Sequence, residues 1–285
     1  MSILVTGGAG FIGSNLVDKL VSMGEDVRVL DSYSTGRHEN ENPKAKYFNI
    51  DVADLNLNQS GISESLIGGF DTIFHLAAEA RIQPSFDKPL ETHRSNVTGT
   101  VNILELARKY RSRVIYAGSS SVYHDPYANP YSFTKLKAEE YCTLYDKVYD
   151  VPVAIARFFN VYGPRQLTEG AYATVIGIFE RQKAAGLPLT ITGDGEQRRD
   201  FTHVSDIVDG LIKMSSDDWG GTIFNLGTGT NHSINQLAGL FKHDTQYIPK
   251  RRGEALTTLA DIKKTQNWLG WSPKYTLEDY VNGLD

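Results

Sequence analysis

Residues 2–13 read SILVTGGAGFIG, a short β-rich apolar run that breaks at once into glycines. Gly7, Gly10 and Gly13 stand three apart. The segment FIGSNLVDKLVSMG then carries Ile12, Leu16 and Leu20 at helical spacing and stops at Gly24. DVRVLD, Asp26–Asp31, reads as a second strand. Strand, glycine turn, helix and strand in this order make a βαβ unit, whose two strands must run parallel. An all-helical domain and an antiparallel sandwich are both excluded by it.

The pattern repeats downstream. KYFNID (46–51), DTIFHLAA (71–78), RVIYAGSSS (113–121) and VPVAIARFFN (151–160) are near-continuous apolar runs, as strands buried on both faces require. NVTGTVNILELARKY (96–110) and YSFTKLKAEEYCTLYDKVY (131–149) read as helices between them. The expected fold class is α/β, a Rossmann-type doubly wound parallel sheet. After Asn160 the segments shorten and the loops lengthen, with Gly-Asp-Gly at 193–195 and Gly-Thr-Gly at 227–229. The expected organisation is therefore a sheet domain over 1–160 and a smaller C-terminal substrate-binding lobe over 161–285. Residues 205–229, a helix then a strand, are expected to return to the main sheet.

Bulk numbers remove whole classes of function. The 285 residues carry a net charge of −5, so there is no electrostatic footprint for nucleic acid or an anionic membrane. Lys250, Arg251 and Arg252 form the one basic run, too short to alter this. No apolar run approaches a membrane span, and no targeting segment is expected. Cys142 is the single cysteine, which rules out an internal disulfide and suits a reducing, cytoplasmic setting. The seven histidines are scattered without metal-ligand spacing, and no metal is expected.

The glycine loop carries the first chemistry. Gly7 permits a tight turn, Gly10 lets the backbone approach a pyrophosphate, and Gly13 lets helix and strand pack closely. The helix start then offers unpaired N–H groups to the anion. Asp31 ends the second strand 18 residues after Gly13, where a carboxylate can hold a ribose diol and repel a 2′-phosphate. The loop thus points to NAD. Arg37 lies close behind and leaves NADP open, with the acid expected to dominate. Asp51, with Val52, ends the third strand where an adenine could be recognised or where a simple cap could sit.

Tyr131 and Lys135 are i and i+4 on one helix face, twelve residues after Ser119. An ammonium beside a phenol is expected to lower its pKa from about 10, making a general base. A serine at the end of the neighbouring strand can bond the same alcohol.

Taken together, TGGAGFIG, Asp31, HLAA (75–78), NVTGT (96–100), SSSVY, Tyr131-x-x-x-Lys135, RFFNVYGPR (157–165) and GDGEQRRDF (193–201) resemble the extended short-chain dehydrogenase/reductases. Within that group the chain is most similar to nucleotide-sugar 4-epimerases, over nearly its whole length. The resemblance implies Ser119, Tyr131 and Lys135 as the catalytic set. It places Gly7, Gly10, Phe11, Ile12 and Gly13 around the NAD pyrophosphate. Asp31, Asp51, Val52 and Ala77, with Tyr131 and Lys135, complete the implied cofactor contacts. Asn160, Arg199 and Arg251 match the contacts to the nucleotide diphosphate, whereas the neighbouring Arg198 does not. Thr258 matches a position flanking the sugar, where a small residue goes with N-acetylated sugars.

The implied reaction is reversible oxidation at sugar carbon C4, with Tyr131 as base and a transient 4-keto sugar. In the related dehydratases and decarboxylases, acids stand at the positions held here by Ser120 and Ser121. A hydroxyl cannot replace a carboxylate in that role. UDP-glucose and UDP-galactose are the expected substrates, with the N-acetylated pair alongside. A UDP-glucuronate 4-epimerase, a C4 reductase or dehydrogenase, and a non-catalytic NAD-binding protein stay open. The helices at 96–110 and 131–149 are where the family pairs subunits, implying a homodimer. The chain departs from its relatives in one place: the link from Ser119 to Tyr131 is short, with His124 in place of a usual glycine. A site more open on the sugar side is expected.

Overall fold

The computed structural model describes residues 1–55 and 69–284. Seven strands form one sheet. They are β1 (Ser2–Thr6), β2 (Asp26–Asp31), β3 (Lys46–Asn49), β4 (Thr72–His75), β5 (Arg113–Ser119), β6 (Val153–Phe158) and β7 (Thr222–Leu226). Their order across the sheet is β7-β6-β5-β4-β1-β2-β3, every pairing parallel. Val5 sits in register with Val29 on one side and Phe74 on the other. The winding reverses between β1 and β4, so the loops leaving their carboxyl ends diverge and open a crevice.

The side-chain period of two explains why the strands are apolar throughout. In β1, Ile3 and Val5 join one core with Leu16, Val29, Ile207, Leu211 and Phe224. Leu4, between them, joins the opposite core with Leu30, Ile73, Ile103, Ala138 and Cys142. Helices Phe11–Ser22 and Val204–Met214 cover the first face; Gly99–Tyr110 and Pro130–Tyr149 cover the second. A third apolar cluster, including Phe179, Leu189, Leu237 and Phe241, lies in the C-terminal part. The buried Asp200 carboxylate ties this part to the end of β7 by accepting from Thr228 N, Gly229 N and Ala260 N at 2.8–3.1 Å. Among the described residues, no helix is long and apolar enough to cross a membrane.

Some boundaries differ from the sequence reading. β5 ends at Ser119 rather than 121, because the Ser119 side chain caps a 3₁₀ turn over Ser120–Tyr123. The helix expected from Asn96 begins at Pro89, with a π turn over Arg94–Thr98 that sequence periodicity does not reveal. Helix Ile82–Asp87 was not expected at all: its six residues are too few to show a period.

Candidate active site

A cleft of about 670 Å³ opens at the carboxyl ends of the strands. Every residue that the resemblance assigns to catalysis, cofactor or substrate, from Gly7 to Thr258, lines it. One wall is the glycine turn. Gly7 has φ +72°, and a Cβ there would lie 2.9 Å from Ala77 N. A Cβ on Gly13 would lie 2.1 Å from the Gly7 carbonyl oxygen. Gly10 differs: its added Cβ would meet only Gly7 O, at 3.2 Å, leaving its other side free. No side chain caps the helix that starts at Phe11. The first-turn amides of Phe11, Ile12 and Gly13 are therefore available to an anion.

Asp31 is buried at the end of β2. Its Oδ2 accepts from Ala9 N and its Oδ1 from Tyr33 N, both at 2.8 Å. These bonds fix the carboxylate and leave lone pairs for a diol. Arg37 instead donates to Glu39 at 3.1 Å. Asp51 is both a cap and a cleft residue: Oδ1 accepts from Ala53 N at 2.9 Å and Oδ2 from Arg94 at 2.8 Å. Val52 follows it, buried. The Ala77 N–H is turned to Thr6 Oγ1 at 3.1 Å. His75 is buried and bonded at both ring nitrogens, to Thr6 (2.7 Å) and Thr100 (3.0 Å). Burial, with Lys135 nearby, holds its pKa down at about 3, so it is a neutral structural imidazole.

Helix Pro130–Tyr149 supplies the reactive pair. Asn129 caps it by accepting from Ser132 N at 2.8 Å, and Pro130 fills N1. This cap makes the short link workable, since Asn129 also donates to Gly253 O at 3.3 Å. Ser119 and Tyr131 line the same part of the cleft, where the serine hydroxyl favours the phenolate. Ser119 Oγ also donates to Ser121 Oγ at 3.0 Å. Lys135 is buried, and its Nζ donates to Ala117 O at 2.9 Å. Beneath it, Glu139 is clamped by Arg157, whose Nε lies 3.1 Å from Oε2.

One electrostatic expectation needs correction. Burial dominates at Tyr131 and holds its pKa above the ordinary phenol value; the Ser119 hydroxyl and then the charge of Arg81 act against it. Lys135 is itself pulled down by burial to about 8. At neutral pH it is still mostly the ammonium.

The substrate-side residues are also placed. Arg199 donates to Arg198 O at 2.9 Å and lies 3.6 Å from Glu254, which Arg251 approaches at 4.0 Å. Arg198 points elsewhere and is fixed by Asn231 at 2.8 Å. Asn160 Nδ2 donates to Asp200 O and to Thr258 Oγ1, both at 3.1 Å. Thr258 Oγ1 also accepts from Asp200 N at 3.1 Å, so this hydroxyl is a structural clasp as well as a cleft surface.

The pattern that defines the NAD dependent epimerase/dehydratase family matches residues 3–227. The chain belongs to this family. NAD is its cofactor, and the uncapped glycine loop and fixed Asp31 fit that group. UDP-glucose 4-epimerase of Mycolicibacterium smegmatis is 35% identical over 308 residues, covering 99% of this chain and 96% of that protein. UDP-glucuronic acid decarboxylase 1 of Xenopus tropicalis is 34% identical over 304 residues, covering 98% of this chain and 70% of that protein. The crystal structure of UDP-glucose 4-epimerase with UDP-glucose from Thermotoga maritima superposes with a TM-score of 0.92 at 33% identity, covering 99% and 96% of the two chains. As a member of the epimerase/dehydratase family, the protein is an NAD-dependent enzyme of the nucleotide-sugar epimerase and decarboxylase type.

Three cleft residues of this family member were not picked from sequence: Glu79, Arg81 and Tyr172. Tyr172 donates its hydroxyl to Glu79, and Arg81 Nε donates to Tyr172 O at 3.0 Å. A usable signal existed. Two charged residues follow within six positions of the end of β4, on the crevice where ligands bind in doubly wound sheets.

Proposed function

We propose that the protein is an NAD-dependent nucleotide-sugar 4-epimerase interconverting UDP-glucose and UDP-galactose. Its small Thr258 extends the range to the N-acetylated pair. The observation that carries this reading is that Ser119, Tyr131 and Lys135 line the same cleft as the open glycine loop.

The chemistry NAD supplies when bound is hydride acceptance from sugar C4 and its return to the opposite face. The amides of the Gly7–Gly13 turn hold the pyrophosphate, and Asp31 accepts from the ribose diol. Asp51 and Val52 border the adenine, and Ala77 closes the turn side. Tyr131, ionised, takes the 4-hydroxyl proton while Ser119 holds that oxygen. After the 4-keto sugar turns over, the same phenol returns the proton. Lys135, bonded to Ala117 O, fixes the helix to β5. Asn160, Arg199 and Arg251 hold the diphosphate, where a rigid guanidinium fork is well suited. Firm hold on the phosphates and loose hold on the sugar permit the turn. In this reading 1–160 with 205–229 serve the cofactor, and the rest of 161–285 serves the nucleotide sugar.

Ser120 and Ser121 separate this reading from its relatives that eliminate water or carbon dioxide. Neither offers an acid, and Ser121 Oγ is already engaged by Ser119. Incubation with a panel of UDP-, dTDP- and GDP-sugars, followed by NMR of the products, tests the proposal. UDP-glucose and UDP-galactose are expected to reach one mixture from either side, with no net use of free NAD. Release of carbon dioxide from UDP-glucuronate would replace the reading with a decarboxylase. Stoichiometric consumption of NAD(P)H would replace it with a reductase.

The reading includes a cytoplasmic homodimer. Its support is an exposed apolar stripe on helix Pro130–Tyr149: Tyr141, Leu144 and Val148 are 38%, 45% and 58% exposed. Their spacing of three and four puts them on one face. Leu144→Glu is expected to convert a dimer to a monomer in light scattering with circular dichroism unchanged. An unchanged mass for this variant would move the interface elsewhere.

A further inference from the structure

The basic run Lys250-Arg251-Arg252 is too short to hold nucleic acid, but its two arginines take different places. Arg251 lines the cleft. Arg252 instead lays its guanidinium over the ring of Phe86, 3.9 Å from the centroid. Phe86 belongs to the short helix Ile82–Asp87 that follows β4. Further contacts seat the same loop there. Gln83 Nε2 donates to Arg252 O at 2.8 Å. Asn129, the cap of the Tyr131 helix, donates to Gly253 O at 3.3 Å. Gly253 lies against the ring itself: its φ is +72°, and an added Cβ would stand 3.0 Å from Phe86 Cζ. A larger residue there would be strained and would lift the loop off the ring.

The helix that receives the loop is fixed to the base as well. Ser85, between Gln83 and Phe86, accepts from Tyr131 N at 3.1 Å. The segment leading into the helix is pinned in turn. Asn96 accepts from Glu79 N at 2.8 Å and donates to Glu79 O at 3.0 Å. The same amide reaches Thr134 Oγ1 at 3.0 Å, and Thr134 donates to Tyr131 O at 2.9 Å. One small helix thus mounts both Tyr131 and the loop of Arg251.

We propose that Arg252 and Phe86, stacked on each other, are positioning residues that aim Arg251 at the nucleotide diphosphate. The inference rests on the reading of Arg251 as a diphosphate contact. Charge separates the tasks of the two arginines. Glu254 lies 4.0 Å from Arg251 and 3.6 Å from Arg199. One carboxylate between two guanidinium groups leaves an excess of positive charge on the cleft wall, which suits a diphosphate. The charge of Arg252 is spent on an aromatic face. Docking Arg252 removes backbone freedom from its neighbour before any ligand arrives, so less ordering is left to the binding step.

The test measures binding of UDP by calorimetry, without turnover. Phe86→Leu keeps an apolar side chain and removes the π face. It is expected to weaken UDP about two- to fivefold, and Arg252→Gln to do the same. Affinity for uridine, NAD content and melting temperature are expected to stay as in wild type, which a collapse of the lobe would not allow. Phe86→Tyr and Arg252→Lys keep a cation over a ring and are expected to bind UDP like wild type. KM for the productive UDP-sugar is expected to rise by the same factor in Phe86→Leu, with kcat unchanged. On an Arg251→Gln background Phe86→Leu is expected to add nothing, because it acts through Arg251. Unweakened UDP binding in both Phe86→Leu and Arg252→Gln would overturn the proposal, as would a full Phe86→Leu effect without Arg251. An Arg252→Gln loss that adds to that of Phe86→Leu would overturn it too, making Arg252 a phosphate contact in its own right. Failure of the wild type to bind UDP would sink the UDP-sugar reading together with this inference, whereas wild-type binding with unaffected variants sinks the inference alone.

Discussion

Tyr131→Phe is expected to lower turnover by about a hundred- to ten-thousand-fold while leaving the fold and the bound cofactor in place. The substitution removes one hydroxyl and nothing else. The ring keeps its half-buried place, and the backbone N–H keeps its bond to Ser85 Oγ at 3.1 Å. Asn129 still caps the helix. Among the described residues no hydrogen bond that shapes the cleft runs through that hydroxyl, so whatever changes is the handling of the proton. Three measurements on the same preparation settle it: turnover with the productive UDP-sugar, NAD content after denaturation, and melting temperature. The expected pattern is a collapse of the first with the other two unchanged. A Phe variant within a few-fold of wild type would remove Tyr131 from the chemistry.

Gly13→Ala is expected to be as damaging, for a reason that involves no reacting atom. The added Cβ would lie 2.1 Å from Gly7 O and 2.8 Å from Gly8 Cα. Both are backbone, so no side chain can swing away. Either the helix lifts off the turn or the turn deforms, and in both cases the amides of Phe11 and Ile12 lose their aim. Overpacking of this kind costs about 1–3 kcal/mol or more. The result expected is protein that purifies without NAD and melts several degrees lower. Gly239→Ala is the matched control. It adds the same methyl within helix Ile234–Phe241, where nothing lies within 4 Å. That change is expected to be neutral or to stabilise by up to about 1 kcal/mol. Retention of NAD by Gly13→Ala would refute this account of the turn.

The contrast between these glycines shows what was legible in the sequence. Gly7 and Gly13 could be assigned their tasks from spacing alone, because a strand, a turn and a helix leave few geometries open. The parallel sheet was legible for a related reason: Ile3, Leu4 and Val5 must all be apolar if both faces are covered. Ser119, Tyr131 and Lys135 could be picked because strand ends and helix starts in such a sheet converge. The charge relations among them could not. Lys135 Nζ finds its acceptor in Ala117 O, a backbone atom that no side-chain motif records. Asn96 and Ser85 were likewise invisible, since each joins segments far apart in the chain.

The strand β7 has a consequence for how the molecule comes into being. It covers β6, with Phe224 in register with Ala156, but follows it by more than sixty residues. A ribosome therefore delivers β6 well before its partner. In that interval one flank of an apolar sheet is unpaired, the kind of edge that recruits other chains. Any chain ended between residues 160 and 221 would keep that flank open permanently. The nascent enzyme is thus most exposed to aggregation while the segment that will form its C-terminal part is still being made, and release of that risk waits on five residues, Thr222–Leu226.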